Sequence, residues 1–505
     1  MNHTVYAPAC DTPSCASPSR TGPFIWCAAS TGKHAVSAVA AFLLLGCAAS
    51  PPQGARPELA ATASSFRNTD ASTAFDALWW QSFADPGMAD LVARALESNH
   101  DVQIAAQRVA QARAGSTAAT SRLLPTVGIT TLASDQRTTL GDEFKRGLPD
   151  TRAYRAALEL GWEIDVMGGA RASANAAALD ALAAEAGVSA ARLAVASEVA
   201  RQTTLHRSAR LRIALLQTLL ESHLKTEAMT RRLHAEGVAS ALDVARAAGD
   251  ARALSALLPP LALLAAATEH HIAVLLGQNP GTPVAELRQP GSGALPAVPP
   301  LHPGQPADLL LRRPDLQAAE KLWLAEGARL QEARADTWPK LFVSGVLGGQ
   351  DLTLNLLNTG PVRYSNLALA FTMPLFNAGR LKANVERQTA RERAATLQWE
   401  QATLKALQDV ENSLVALTQE RARSVALDAA AHERSQTLTQ VQSLAREGQV
   451  SQLRVYEAER GLMSAELAAL ESRTDLALSG IQLYRALGGA PNPTTPAIAQ
   501  IKGQP

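Results

Sequence analysis

Few residues in this chain have the types and spacing that chemistry requires. Glu269-His270-His271 invites a metal reading, but adjacent histidines on a helix diverge by about 100° and cannot converge on one ion within a chain, so a surface role is expected. Arg312-Arg313 could hold an anion, yet the proline that follows and the start of a helix suit a structural turn better. There is no nucleophile elbow, P-loop, zinc signature or pair of catalytic carboxylates. An enzyme is therefore not expected, nor a metal or a diffusible cofactor. A formal net charge of +1 gives no reason to invoke nucleic acid.

One cysteine stands apart. All four, Cys10, Cys15, Cys27 and Cys47, lie in the first tenth of the chain, so they do not form a disulfide framework for the folded part. Cys47 closes the sequence Leu44-Leu45-Gly46-Cys47, after Lys33 and an apolar run at 35–45 of signal-peptide length. That pattern resembles a bacterial lipoprotein signal, in which the cysteine becomes the lipidated first residue. Residues 1–46 are then a signal peptide and 47–76 a tether, Pro/Gly/Ala-rich over 50–63. The competing reading is a short buried helix ending in a chance Gly-Cys. No stretch reaches the roughly 18 to 20 apolar residues of a transmembrane helix, so any membrane span must be built from strands.

The rest of the chain is arranged around a run at 381–447 without glycine or proline. Leu404, Leu407, Val410, Leu414 and Leu417 recur along it at intervals of three and four. At 1.5 Å per residue this helix is roughly 100 Å long, too long for a compact domain. It ends at Gly448, able to take positive φ, and Ser451, able to N-cap a returning helix. A second long run at 168–236 ends the same way at Gly237 and Ser240, with Asp243 completing a capping-box variant. The two runs are copies. At a constant offset of 211, Gly168 matches Gly379, Gly237 matches Gly448, Ser240 matches Ser451, Leu242 matches Leu453, and Leu276-Gly277 matches Leu487-Gly488. Upstream the offset is 214, pairing Asp101 with Asp315 and Pro125 with Pro339.

Between each entering helix and each long helix the period changes to two. Tyr154, Ala156, Leu158, Leu160, Trp162 and Ile164 alternate with Arg155, Glu159 and Glu163, and Val127 and Ile129 alternate with Gly128 and Thr130. This is the pattern of a strand with lipid on one side and water on the other, and equally of an amphipathic strand in a soluble sandwich. Leu341, Val343 and Leu347, then Leu367, Leu369, Phe371 and Met373, supply the second pair. The polar stretch 138–151 reads as an exposed loop tip. Each repeat (77–276 and 306–488) is helix, strand, strand, long helix, returning helix, with a Gly/Pro-rich connector at 277–305 and a tail at 489–505. The entering and returning helices together match the long one in length, so stacked end to end they line it. Pro259-Pro260, inside the first returning helix, predicts a kink or break.

At this point the motifs carry a family resemblance. Trp79-Trp80, Phe83 and Asp85-Pro86, the strand end Trp162-Glu163-Ile164-Asp165, Leu311-Arg312-Arg313-Pro314-Asp315-Leu316, Trp338-Pro339, Pro374-Leu375-Phe376-Asn377-Ala378-Gly379-Arg380 and the two glycine turns resemble the TolC-type outer-membrane efflux proteins, most closely the lipoprotein branch (OprM/NodT-like). The resemblance implies a mainly α-helical chain with a membrane β-barrel portion. Long antiparallel helical hairpins form a periplasmic tunnel, and a homotrimer shares one twelve-stranded barrel, four strands per subunit. It implies an exit duct of a tripartite efflux system, anchored by lipid in the outer membrane with most of its mass in the periplasm. The residues themselves require only that subunits share a barrel, since the smallest membrane barrels have eight strands.

The same resemblance assigns the site. The turns Gly237, Ser240, Leu242 and Asp243, and Gly448 and Ser451, meet a periplasmic adaptor protein that links the duct to an inner-membrane pump. Leu453 forms an apolar constriction and Glu457 an acidic ring at the periplasmic gate, with Arg454 at a position acidic in some relatives. Without the resemblance, Leu453 reads as a seam residue and Glu457 as a solvated one. A rival function is a lipid-tethered periplasmic coiled-coil adaptor or scaffold, which one helical hairpin would satisfy where this chain has two.

Overall fold

The computed structural model describes residues 78–137, 139, 151–288, 294–299, 309–354 and 357–489. The signal segment, Cys47, the tether, the loop tip between the first two strands and the tail beyond 489 lie outside the described residues. A 3-10 turn (Trp79–Phe83) leads into α1 (Pro86–Ser98), α2 (His100–Ser121), β1 (Thr126–Gln136), β2 (Thr151–Ile164) and α3 (Gly169–Ala235). The return runs through α4 (Ala241–Ser255) and α5 (Leu258–Leu275). The second repeat is α6 (Leu309–Arg312), α7 (Pro314–Ala335), β3 (Lys340–Leu354), β4 (Leu357–Thr372), α8 (Arg380–Arg446) and α9 (Gln452–Ala486).

The two long helices each have 67 residues, and their shorter companions lie along them. Helix α2 flanks α3 toward the strands and α4 and α5 flank it toward the turn; α7 and α9 do the same for α8. The repeats join because α3 also packs on α7 and α9. Pro259 and Pro260 break the first return: α4 ends at Ser255, and both prolines fall in the first turn of α5, where a missing N–H forfeits no helical hydrogen bond.

The entering helix is not continuous. Asn99 takes an extended conformation (φ −67°, ψ 131°), its Oδ1 accepts from the amides of Asp101 and Val102, and its Nδ2 donates to the Leu275 carbonyl at 2.9 Å. Its repeat counterpart, Arg313, donates to the Ala486 carbonyl at 2.9 Å, and residues 275 and 486 are themselves 211 apart. Behind these clamps sit two matching cores. Val102, Val195, Val199, Ile272 and Leu276 in one correspond to Leu316, Ala406, Val410, Leu483 and Leu487 in the other. The connector is less bare than its sequence suggests: Ala285–Arg288 forms a 3-10 turn, and Val284 and Leu287 are buried in the first core.

The strands form one antiparallel sheet in the order β1-β2-β3-β4. Its register places Ile129 opposite Leu158, Leu158 opposite Leu347, Gly345 opposite Leu367 and Val343 opposite Leu369, all on one face. Ile129 and Leu367 are 78% and 80% exposed, so this face is an uncovered apolar band. The opposite face carries Arg155, Glu159, Gln350, Tyr364 and Asn366, with the Arg155 guanidinium 5.2 Å above the Tyr364 ring. Among the described residues, the outer edges of β1 and β4 pair with no strand.

Candidate functional site

The ends of the helices far from the sheet are the two glycine turns. In the first, Gly237 has φ 74°, its amide bonds the His234 carbonyl at 2.9 Å, and the Val238 amide bonds the Leu233 carbonyl at 2.8 Å. Left-handed backbone is needed there to turn carbonyls of the last helical turn onto those amides. Ser240 then caps α4. Its Oγ accepts from the Asp243 amide at 3.2 Å while the Asp243 carboxylate accepts from the Ser240 amide at 3.0 Å, a complete capping box. The Ser240 hydroxyl and amide together hold the Asp243 carboxyl below its ordinary range. Leu242 is 57% exposed and Val238 73%, so the tip presents apolar side chains to solvent.

The second turn has the same backbone and a different cap. Gly448 has φ 71°, and the Gln449 amide bonds the Leu444 carbonyl at 2.9 Å. Ser451 stands at the N-cap of α9 with extended backbone, but its side chain makes no capping bond. The Arg454 amide bonds the Ser451 carbonyl at 3.0 Å, and Arg454, the counterpart of Asp243, has no acceptor to return to the Ser451 amide. Arg454 turns instead to Glu457, Nη1 to Oε2 at 3.1 Å. Near the start of α9 Val455 is buried, whereas Leu453 is 41% exposed. Leu453, Arg454 and Glu457 therefore share the first turns of α9 on the surface of a single copy.

Behind the tips, α3 and α9 are joined by polar contacts. Ser222 donates to Glu459 at 3.0 Å, Arg460 to Thr226 at 3.1 Å and Thr474 to Ser208 at 2.8 Å; Arg212 lies 3.7 Å from Glu471. Nearer the middle of α3, sequence reading missed a pair. Arg207 forms a two-pronged ion pair with Asp85, both buried, and Asp85 also accepts from the Met88 amide at 3.0 Å to cap α1. Burial pushes the Arg207 guanidinium below its ordinary range. Glu198 is held down to about 2 by its hydrogen bonds to Arg201, against the opposing effect of burial, with Gln202 and His271 assisting.

The histidine motif is structural. Glu269 accepts from the Val284 amide at 3.3 Å and from Arg288 at 3.1 Å, fastening the connector, and His271 faces Glu198 at 3.7 Å. Among the described residues no cluster of three metal-ligating side chains occurs. Arg313 is a clamp, bound to Asp315, Asp409 and the Ala486 carbonyl.

A sheet apolar outside and polar inside, carried on two helices of roughly 100 Å, defines a subunit of a tunnel-forming outer-membrane channel. The chain belongs to the outer membrane efflux protein family, whose model matches residues 91–278 and 306–489, one segment per repeat. It is 32% identical over 480 residues to the pyoverdine export outer membrane protein OpmQ of Pseudomonas aeruginosa, covering 90% of this chain and 96% of that protein. Nodulation protein T of Rhizobium leguminosarum bv. viciae is 30% identical over 430 residues, 83% of this chain and 86% of the relative. Among solved structures, the outer-membrane channel OprN superposes with a TM-score of 0.74 at 28% identity, over 87% of this chain and 98% of OprN.

Proposed function

We propose that this chain is the outer-membrane exit duct of a tripartite efflux system, a passive channel through which small molecules leave the cell. The observation that carries this reading is the open four-stranded sheet. Its apolar face suits lipid and its polar face suits a water-filled lumen, and four strands cannot close a barrel alone. Strand β1 rises from the helices and β4 descends to them, so β4 of one copy and β1 of the next are antiparallel and can pair. Repeating this step three times gives a homotrimer with twelve strands above twelve helical columns, four from each copy: its two long helices and the two stacks of shorter ones beside them.

The tips then face the periplasm. Leu242 and Val238 with Gly237, Ser240 and Asp243, and the counterpart turn at Gly448 and Ser451, are the surface for a periplasmic adaptor, through which the inner-membrane pump delivers cargo. Leu453 and Glu457, with Arg454 tethering the carboxylate, narrow the aperture, and rings of this kind select by size, charge and dewetting. Lipid on Cys47 holds the amino terminus at the membrane. The relatives' names point to different systems, pyoverdine export and nodulation, at nearly equal identity to this chain. The duct thus takes its cargo from the pump.

The purified chain should migrate as a heat-modifiable oligomer and form channels in planar lipid bilayers, and Leu453→Ala and Glu457→Ala should each raise single-channel conductance. Unchanged conductance in both removes these residues from the gate; a chain that forms no oligomer and no channel overturns the duct.

A further inference from the structure

Much of the polar face of the sheet is lined by small residues, among them Ala157, Gly161, Ser344, Gly348, Ala368 and Ala370. The ionic side chains that share it in the strands are Arg155, Glu159, Glu163 and Lys340. At the helix end these groups hold one another: Lys340 lies 3.2 Å from Glu163 and 2.9 Å from Asp336. Arg155, near the end of β2 remote from the helices, is held in another way.

Arg155 stands on β2 and Tyr364 on β4, and β3 runs between them, so their backbones are roughly 10 Å apart. They meet because the strand between offers no obstacle. The register sets Ala157, Gly348 and Tyr364 in one row, and Gly348 has no side chain to part the guanidinium from the ring. A Cβ on Gly348 would stand 2.6 Å from the Ala156 carbonyl oxygen and 2.8 Å from the Ala157 Cβ, so the close approach of β2 and β3 keeps this position a glycine. The ring face fixes the guanidinium by a cation–π contact, which engages none of its N–H donors. Glu159 lies 3.9 Å from Nη2, an ion pair too long for a hydrogen bond, and Nε is buried without a partner. The Arg155 side chain is still 36% exposed on the polar face. A guanidinium held in place with its donors unspent is prepared to take a carboxylate by two parallel bonds.

We propose that Arg155, held by Tyr364, is an anion station in the wall of the exit lumen, and that its ligand is a carboxylate carried by passing cargo. Glu159 is the competing counter-ion. It neutralises the guanidinium when the station is empty and weakens its hold when an anion arrives, as passage requires, since a group that binds too well in a pore stops the flow. The station recurs once per copy at one level, close to the outer mouth and at the opposite end of the molecule from Leu453 and Glu457. It rests on the duct reading above.

Trimesate, a rigid tricarboxylate, tests the station on the full-length protein in planar bilayers at low salt. Trimesate should reduce single-channel current, and the uncharged triamide of the same acid should not. Arg155→Gln should weaken the block by about tenfold, the worth of a charged hydrogen bond. Glu159→Gln should strengthen it. Tyr364→Phe, which keeps the ring and loses a hydroxyl that bonds nothing, should leave the block as it is, whereas Tyr364→Leu should weaken it. An Arg155→Gln channel of native conductance that trimesate blocks as strongly as before overturns the station, and so does equal block by the triamide. If Arg155→Gln does not assemble, Glu159→Gln and Tyr364→Leu decide in its place, and a block unaltered in both overturns the proposal. A wild-type chain that forms no channel overturns the duct itself, a separate failure.

Discussion

Arg454 shows how one residue changes a structural unit without changing its backbone. The two turns share left-handed glycines and an N-cap serine, yet only the first closes a capping box, because Asp243 can accept the Ser240 amide and Arg454 cannot accept that of Ser451. Arg454→Asp should complete the missing box and stabilise the start of α9 by about 1 kcal/mol. Slower amide exchange at 452–455 is the expected readout. A second residue-scale effect concerns acid. Glu198 titrates at about 2 in the folded chain against 4.5 for the free side chain, so its contribution is complete above pH 4.5 and is lost as pH falls toward 2. Glu198→Gln should flatten the acid limb of stability in that window, measured by tryptophan fluorescence. The Glu198–Arg201 pair, one helical turn apart, was within reach of the sequence. The Asp85–Arg207 pair, 122 residues apart, was not, and breaking so buried a pair costs about 3 to 5 kcal/mol.

At the scale of elements, the legible features were those written locally. Helix punctuation by Gly237, Ser240, Gly448 and Ser451, the period-2 strands and the 211 offset are all short-range signals, and the long helices fall within a residue or so of their sequence-derived bounds. Asn99 was missed because Leu91, Leu96, Val102 and Val109 run across it without a change of period. Its Oδ1 caps α2 from within the chain, and the tertiary bond from its Nδ2 to the Leu275 carbonyl fixes the break in place. The connector was underestimated for a similar reason: Val284 and Leu287 are two isolated apolar residues whose burial depends on α1 and α5 being in place. Pro259-Pro260 was legible, and its effect can be reversed. Replacing them by Leu and Glu, as at 470 and 471, should fuse α4 and α5 into one helix like α9. Amide protection at Ala256 and Leu257 should rise, by hydrogen exchange, and no gain there would show that the break is set by packing.

At the scale of the molecule, the repeat explains why one chain can be both bundle and barrel wall: each half supplies a pair of strands and a full-length rod, and the middle cores fasten the halves together. The lipid proposed on Cys47 is expected to be separable from this architecture. Cys47→Ser should abolish palmitate labelling while leaving the oligomer's heat resistance and conductance intact, and labelling that persists would place the lipid elsewhere. The two unpaired sheet edges carry a different consequence. A solitary copy exposes rows of peptide groups beside an apolar face, a surface that lipid cannot solvate and water does not favour. In the ring of three copies proposed above, insertion waits for, or coincides with, their meeting, so its rate should rise far more steeply than linearly with subunit concentration. Until then the chain is at its most aggregation-prone, and its abundance in the cell becomes a kinetic quantity set by how quickly the edges find one another.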